Sequence, residues 1–484
     1  MHQLTIREVM PQIEAALVAH KTTEAAALLW PALNQHPHIA ALWFYAGSLL
    51  NMEGKQAMAY QAWQRAYELE PNHIILANMG AALRAMQQAE LGRDFLKRAL
   101  EYAPSDPGIL ANLTGCYVNE GNPWPGIDYG TKALGTPHDS SARFNLALLC
   151  LEAGQFTPGF DYYAEGKHQH REERRYEPDV PLLTPELHEQ LKGTGATIIT
   201  WGEQGIGDEL MFGTILNDAI KDYEIVFECH PRLELLHRTS SWARSLAKQG
   251  RPVQIHSTRK MKPIDLSDRP VAAKVAMGNL CRLYRRAKET FAWQGPTYQA
   301  PEREAQQMRA HLTELAEGRT IVGLAMRGGM IETNRGYRCL TPDRLMPLLQ
   351  DESLFFVSLD YEDMTEVHDW ISRHVPGDRY LWYPSVNFAW DYHHVASLVR
   401  ATDCVVTVPQ SVAHISAGMG HPTYLLTPSK PDWRLTCVTG EHWIWYDHPN
   451  VRLYRQNGND WNPAILEVHR AVQAHFSKTE GVAL

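Results

Sequence analysis

Two stretches of this chain repeat each other at an offset of 33 residues, and that offset restricts the fold more than any other feature of the sequence. Across 40–71 the pattern is Trp43, Ala46-Gly47, Leu50, Ala59, Trp63, Ala66 and Pro71; the next unit gives Leu76, Met79-Gly80, Leu83, Gly92, Leu96, Ala99 and Pro104. The small residues let the two helices of a hairpin approach closely, the large ones fill the seam, and proline ends the second helix. Upstream, Ala25, Leu29, Ala32 and Pro37 keep the second-helix half of the pattern; downstream, Gly115 and Tyr117 open a further unit and 144–163 a last one. Residues 1–165 therefore read as a solenoid of four to five helix pairs. The concave face of such an array binds a peptide or a neighbouring domain, or the array self-associates.

The second organising stretch is 405–428. A β-branched run at 404–408 reads as a buried parallel strand. Pro409 ends it, Gln410-Ser411 opens a short apolar helix, Gly418, Gly420 and Pro422 stop that helix, and 424–426 reads as the next strand. In this βαβ unit Ser411 stands at a helix N-terminus, where unsatisfied N–H groups and the helix dipole favour an anion such as a phosphate. The plainer alternative is an ordinary crossover in which Ser411 only caps its helix.

Between these parts, 167–181 is charged and ends in prolines, as a domain boundary does. A strand at 197–201 then leads through a loop carrying Gly202, Glu203, Gln204, Gly205 and Gly207 into a helix expected over 209–220. A glycine-rich strand-to-helix turn allows close backbone approach to a ligand, and Asp208 stands at its end, where open α/β sheets place their chemistry. Its plainer role is a carboxylate favoured by the helix dipole. Further strands are expected at 224–228, 252–256, 319–326 and 354–359, and helices at 304–317, 341–349, 393–400 and 463–476. Strands alternating with helices predict two α/β domains in series, 194–305 and 306–484, after a linker over 166–193, with a cleft between their facing carboxyl edges. The last helix is expected to cross back to the first of these domains.

Composition narrows the classes. Seven cysteines without a CxxC, among 484 residues, argue for a reducing cytoplasm and against a disulfide or zinc framework. No tight ligand spacing occurs among the 23 histidines, so no metal is expected. No apolar run reaches membrane-spanning length, and the first ten residues do not read as a signal peptide. The net charge of −9 conceals a segment, 230–289, with fourteen Lys/Arg against four acids. Such a segment either faces an anionic partner or is a solvated surface.

Three groups of residues carry resemblances. The 33-residue units resemble the tetratricopeptide repeat. The runs 202–212 (GEQGIGDELMF), 408–434 (VPQSVAHISAGMGHPTYLLTPSKPDWR) and 452–461 (RLYRQNGNDW) resemble those of bacterial tetratricopeptide-repeat glycosyltransferases related to the heptosyltransferases. The repeat-plus-two-domain plan also looks like that of the protein O-GlcNAc transferases. The resemblance implies an α plus α/β chain, a repeat solenoid followed by a GT-B pair of Rossmann-like domains. The implied activity moves a sugar from a nucleotide-sugar donor to an acceptor hydroxyl, with inversion and without a metal or other cofactor. It further implies Asp208 as general base, Arg338 as the cation for donor phosphate, and Gln410, Ser411 and His414 as the diphosphate grip. Arg327 and Arg335 are alternatives to Arg338. Where relatives carry Asp-Ser or Asp-Thr near the donor turn, this chain has Pro409-Gln410.

The C-terminal region holds six aromatics, of which Trp433 lies just past a strand end and is a candidate to stack on a base or sugar; core packing is the alternative for all six. Three functions fit these residues: transfer to a protein or glycan acceptor, transfer to a polyanion such as modified DNA or lipopolysaccharide core held by the basic segment, and a non-catalytic repeat scaffold with a degenerate transferase fold.

Overall fold

A computed structural model of the chain describes residues 6–136, 139–166, 176, 179–258, 263–268, 270–328, 338–361, 364–383, 389–430, 433–435 and 441–477. The chain divides into two compact units, 1–153 with 165–167, and 154–164 with 168–484.

The first unit is a tetratricopeptide-like array. Helices α1 (Ile6–Val18) and α2 (Thr22–Gln35), α3 (Ala40–Met52) and α4 (Gln56–Leu69), α5 (His73–Ala85) and α6 (Ala89–Tyr102), and α7 (Pro107–Glu120) and α8 (Pro123–Lys132) form successive pairs, followed by α9 (Asp139–Glu152). The 33-residue period has a steric cause. A Cβ at Gly47 would overlap the Trp63 indole, and one at Gly80 would sit 2.7 Å from Leu96 Cγ and 2.8 Å from the Gly92 carbonyl oxygen. Each glycine thus faces a large side chain 16 residues later, which sets the close approach of each hairpin.

The second unit begins with α10 (Phe156–Glu165), whose residues 156–164 pack with the α/β part rather than extending the array over the whole of 1–165. Asp161 binds Arg282 and Arg286 at 3.0 and 2.7 Å, and Phe160 lies against Phe291, Trp433 and Trp445. Residues 167–175, 177 and 178 of the expected linker lie outside the described residues; in the rest, Leu182 forms a bridge beside Lys274, and Pro185–Leu191 is a helix.

Two all-parallel sheets follow. The first has order β3-β2-β1-β4, built from β1 (Thr197–Trp201), β2 (Glu224–Glu228), β3 (Gln254–His256) and β4 (Ala273–Ala276). The second has order β10-β9-β8-β5-β6-β7, from β5 (Thr320–Ala325), β6 (Leu354–Ser358), β7 (Tyr380–Leu381), β8 (Cys404–Thr407), β9 (Thr423–Thr427) and β10 (Val451–Arg455). In the first sheet the strand order turns around between β1 and β4, and in the second between β5 and β8. In open α/β sheets that crevice is where ligands bind.

The expected 209–220 helix is two helices, Ile206–Gly213 and Leu216–Asp222. Gly213 packs against Tyr298, and the Thr214 hydroxyl donates back to the Met211 carbonyl at 2.8 Å, which interrupts the helix. The last helix, Asn462–Ser477, does not cross back. Trp461, Ala464, Ile465, Val468 and Val472 join the core of the second sheet, and His469 and Gln473 bind Asp351 at 2.6 and 3.0 Å. Its apolar face finds that sheet's own strands first.

Candidate active site

The loop after β1 and the helix after β8 meet. Residues of the Ile206–Gly213 helix pack on the Ser411–Gly418 helix, and a Cβ at Gly207 would lie 3.1 Å from His414 Cδ2 and 3.3 Å from its Nε2. Around this meeting the two lobes share one buried cluster, with Leu210, Leu233 and Leu236 from one side and Val395, Val399, Val412 and Ile415 from the other. The expected cleft is therefore closed by apolar packing at this depth, and Asp208 and Arg434 lie at its rim.

On the β1 side, Asp208 is engaged at both carboxylate oxygens. The Gly205 N–H donates to Oδ2 at 3.1 Å, capping the helix from within, and the Arg434 Nε donates to Oδ1 at 2.5 Å. Arg434 also donates through Nη2 to Gln204 Oε1 at 2.7 Å. Gln204 holds a left-handed backbone, φ 57°, a conformation costly for a side chain that needs support from its surroundings. Its amide supplies that support by donating to the Tyr163 hydroxyl, which itself donates to Glu203 at 3.3 Å. Burial and the adjacent Glu203 carboxylate push the Tyr163 phenol well above its ordinary pKa, so it stays a neutral donor. Glu203 is buried against Gly278, just past β4.

On the β8 side, Gln410 is the N-cap position of the Ser411–Gly418 helix and makes no side-chain cap bond. It is 7 % exposed, and among the described residues neither its Nε2 nor its Oε1 has a hydrogen-bond partner. The Ser411 hydroxyl pairs with the Tyr392 hydroxyl at 3.0 Å instead of capping the helix. Gly328, which follows Arg327 past the end of β5, is pressed against this turn: a Cβ there would lie 2.6 Å from the Pro409 carbonyl oxygen and 2.7 Å from Gln410 Cβ. Buried Asp360, at the end of β6, accepts the Met326 and Arg327 N–H groups at 3.0 Å and fixes this strand end. A carboxylate absent from the Pro409-Gln410 turn is thus present two strands away, anchoring backbone. His414 Nδ1 lies 3.1 Å from the Tyr446 hydroxyl, and burial raises that phenol well above its usual range.

The structure brings Glu203, Gln204, Gly205, Gly207, Asp208 and His414 together, and sets Arg327, Gln410 and Ser411 around the β5–β8 crevice. Arg338 is half-buried and stands two residues before Leu340, whose N–H donates to the Met326 carbonyl at 2.9 Å beside the end of β5. Arg335 lies outside the described residues. The expectation of a stacking face at Trp433 gives way to a core role. Trp433 is 5 % exposed, edge-on or tilted to Phe160, Tyr163 and Trp445, and stacked on Phe212. Arg434, its neighbour, carries the polar contact, and sequence reasoning missed it; the only signal was its place at the end of the 408–434 run.

Of the ten described basic residues in the 230–289 segment, seven are paired, buried or packed on an aromatic ring. Arg238 pairs with Glu234, Arg251 with Glu224, Arg282 and Arg286 with Asp161, and Arg285 with Asp218; Lys274 is buried, and Arg232 lies against Trp390 and Tyr392. These pairs leave less charge facing solvent than the sequence suggests, and Lys260, Lys262, Arg259 and Arg269 lie outside the described residues. Among the described residues no group of three or more acidic, His or Cys side chains is placed to hold a metal, and no helix is long and apolar enough to cross a membrane.

No family model matches the chain. It is similar to protein FlbA of Caulobacter vibrioides, 25 % identical over 475 residues that cover 94 % of this chain and 70 % of FlbA. Among solved structures it is similar to PilF of Pseudomonas aeruginosa, 20 % identical, covering 33 % of this chain and 75 % of that one with a TM-score of 0.30. It is also similar to MamA of Desulfovibrio magneticus RS-1, 18 % identical, covering 34 % and 95 %, TM-score 0.30. A third, YrrB, a TPR protein with an unusual peptide-binding site, is 16 % identical, covering 34 % and 87 %, TM-score 0.29.

Proposed function

We propose that this chain is a GT-B-type, heptosyltransferase-like glycosyltransferase that moves a sugar from a nucleotide-sugar donor to an acceptor hydroxyl. The observation that supports this most is the meeting of two turn-around crevices: the segment after β1 that carries Asp208 faces the helix after β8 whose N-terminus carries Gln410. An unpartnered, buried amide beside helix N–H groups is what an anionic leaving group needs. In this reading the Gln410 amide, the first N–H groups of the Ser411–Gly418 helix, and Arg327 with Arg338 hold the diphosphate. Asp208 accepts the proton of the acceptor hydroxyl, which adds to the anomeric carbon from the face opposite the leaving oxygen. Charge on the leaving group is met by arginine and N–H donors, so the reaction needs no metal. We assign the chain to the cytoplasm, in keeping with its free cysteines, and the repeat array to binding a protein acceptor.

A second reading, a non-catalytic repeat scaffold, is favoured by the engagement of both Asp208 oxygens. Incubation of the full chain with UDP-, ADP- and GDP-sugars separates the two. A transferase releases the nucleoside diphosphate from one of them and loses that release in Asp208→Asn. A scaffold releases none.

A further inference from the structure

We infer that Arg434 serves both halves of the transfer: it holds Asp208 while the site is empty and moves to the leaving diphosphate when donor is bound. Asp208 is thereby available as a base only in the loaded site. The inference rests on the transferase reading and assigns a residue that the sequence motifs did not.

Three observations carry it. First, one donor stands on each oxygen of the Asp208 carboxylate, the Gly205 N–H on Oδ2 and the Arg434 Nε on Oδ1. An acceptor hydroxyl approaching Oδ1 competes with the guanidinium already bound there. Secondly, Arg434 is mounted on the donor side and reaches to the acceptor side. Its carbonyl accepts the Trp443 Nε1–H at 2.7 Å, and the Trp443 ring lies 4.9 Å from His414, one turn inside the helix that Gln410 begins. Thirdly, the pair is at the rim, with the Arg434 side chain 21 % and the Asp208 side chain 16 % exposed, so an entering ligand can reach it. A diphosphate offers a guanidinium more charge than one carboxylate and the same two-point geometry.

The step then balances. The acceptor O–H bond breaks, its proton goes to Asp208, and its oxygen forms the bond to the anomeric carbon. The anomeric carbon–oxygen bond to phosphate breaks with its electron pair on the leaving diphosphate, whose added charge Arg434 meets.

Calorimetric titration of the full chain with inorganic pyrophosphate tests this. Wild type, Asp208→Asn, Arg434→Ala, Arg434→Lys, the Asp208→Asn/Arg434→Ala double variant and Gln410→Leu are compared. Release of Arg434 in Asp208→Asn should tighten pyrophosphate about tenfold, Arg434→Ala should weaken it by a similar factor, and Arg434→Lys should fall between them. In the Arg434→Ala background, the Asp208→Asn change should have little effect. If Asp208→Asn tightens binding equally with and without Arg434, or does not tighten it, the shared role is wrong and the pair is a structural ion pair. That failure is distinguishable: Gln410→Leu would still weaken pyrophosphate. If neither wild type nor any variant binds, the transferase reading itself falls, and the inference with it.

Discussion

Arg434 and Asp208 lie 226 residues apart in the chain and are joined by a 2.5 Å ion pair between the lobes of the two sheets. The pair links the loop after β1 to the segment after β9. In the proposed transfer, this makes Asp208 a base held by an arginine until donor enters.

Asp208→Asn keeps the acceptor oxygen that caps the Ile206–Gly213 helix and removes the proton acceptor. The variant should fold and bind donor while transfer falls by about 100-fold or more. Single-turnover transfer measured beside donor affinity checks this; full transfer activity in the variant would remove Asp208 from the role.

Gln410 carries a cost that a purely structural residue would not. Among the described residues its buried amide has no hydrogen-bond partner, and such a group costs about 1–3 kcal/mol. Gln410→Leu should therefore leave the unliganded protein as stable as wild type or more so, by about 1 kcal/mol, and should weaken donor binding. Denaturant unfolding with and without nucleoside diphosphate reads both effects. A variant less stable by about 2 kcal/mol, with donor affinity unchanged, would make Gln410 a structural residue.

Trp433 packs against Phe160, Tyr163, Phe212 and Trp445 and is 5 % exposed. Trp433→Ala should cost about 3–5 kcal/mol of stability, and donor affinity should fall only as the folded fraction falls. Because Phe160 and Tyr163 belong to the same cluster, removal of residues 1–165 should unfold the α/β unit where removal of 1–153 does not. Circular dichroism melts of the two truncations check this.

Asp351 anchors the last helix. Burial alone would raise its pKa, but hydrogen bonds from Ser353, His469 and Gln473 prevail and hold it at about 2. A carboxyl lowered on folding stabilises above its unfolded value, near 3.9, and that contribution disappears as pH falls toward 2. Allowing for solvent screening, its worth is about 1 kcal/mol. Asp351→Asn should be less stable than wild type at pH 6 by about that amount, with the gap closing below pH 4. Urea titrations across that range measure it.

The repeats, β1, β2 and the β8–β9 crossover were legible in the sequence because each rests on local pattern: a glycine facing a large residue 16 positions on, or a β-branched run bounded by Gly and Pro. The strand β4, with Ala273 and a buried Lys274, lacks strand propensity and shows only through its pairing with β1. The edge strand β10 places Arg452 and Arg455 in its run, charges that suit an edge and mask the strand in sequence. At the site, the glycine loop could be read from spacing, and Gln410 came only through the resemblance. Arg434, Tyr163 and Asp360 could not, because each acts on a partner distant in sequence, and nothing local marks an arginine or tyrosine whose partner comes from another lobe.

The most direct test of the central claim is a thermal-shift titration of the full chain with UDP-, ADP- and GDP-sugars. A ligand at a hundred times its dissociation constant stabilises the form it binds by about 2.7 kcal/mol, which raises the midpoint by several degrees. The account predicts such a rise with one nucleotide class, reduced in Gln410→Leu and retained in Asp208→Asn. A cooperative melt unchanged by every donor would contradict it.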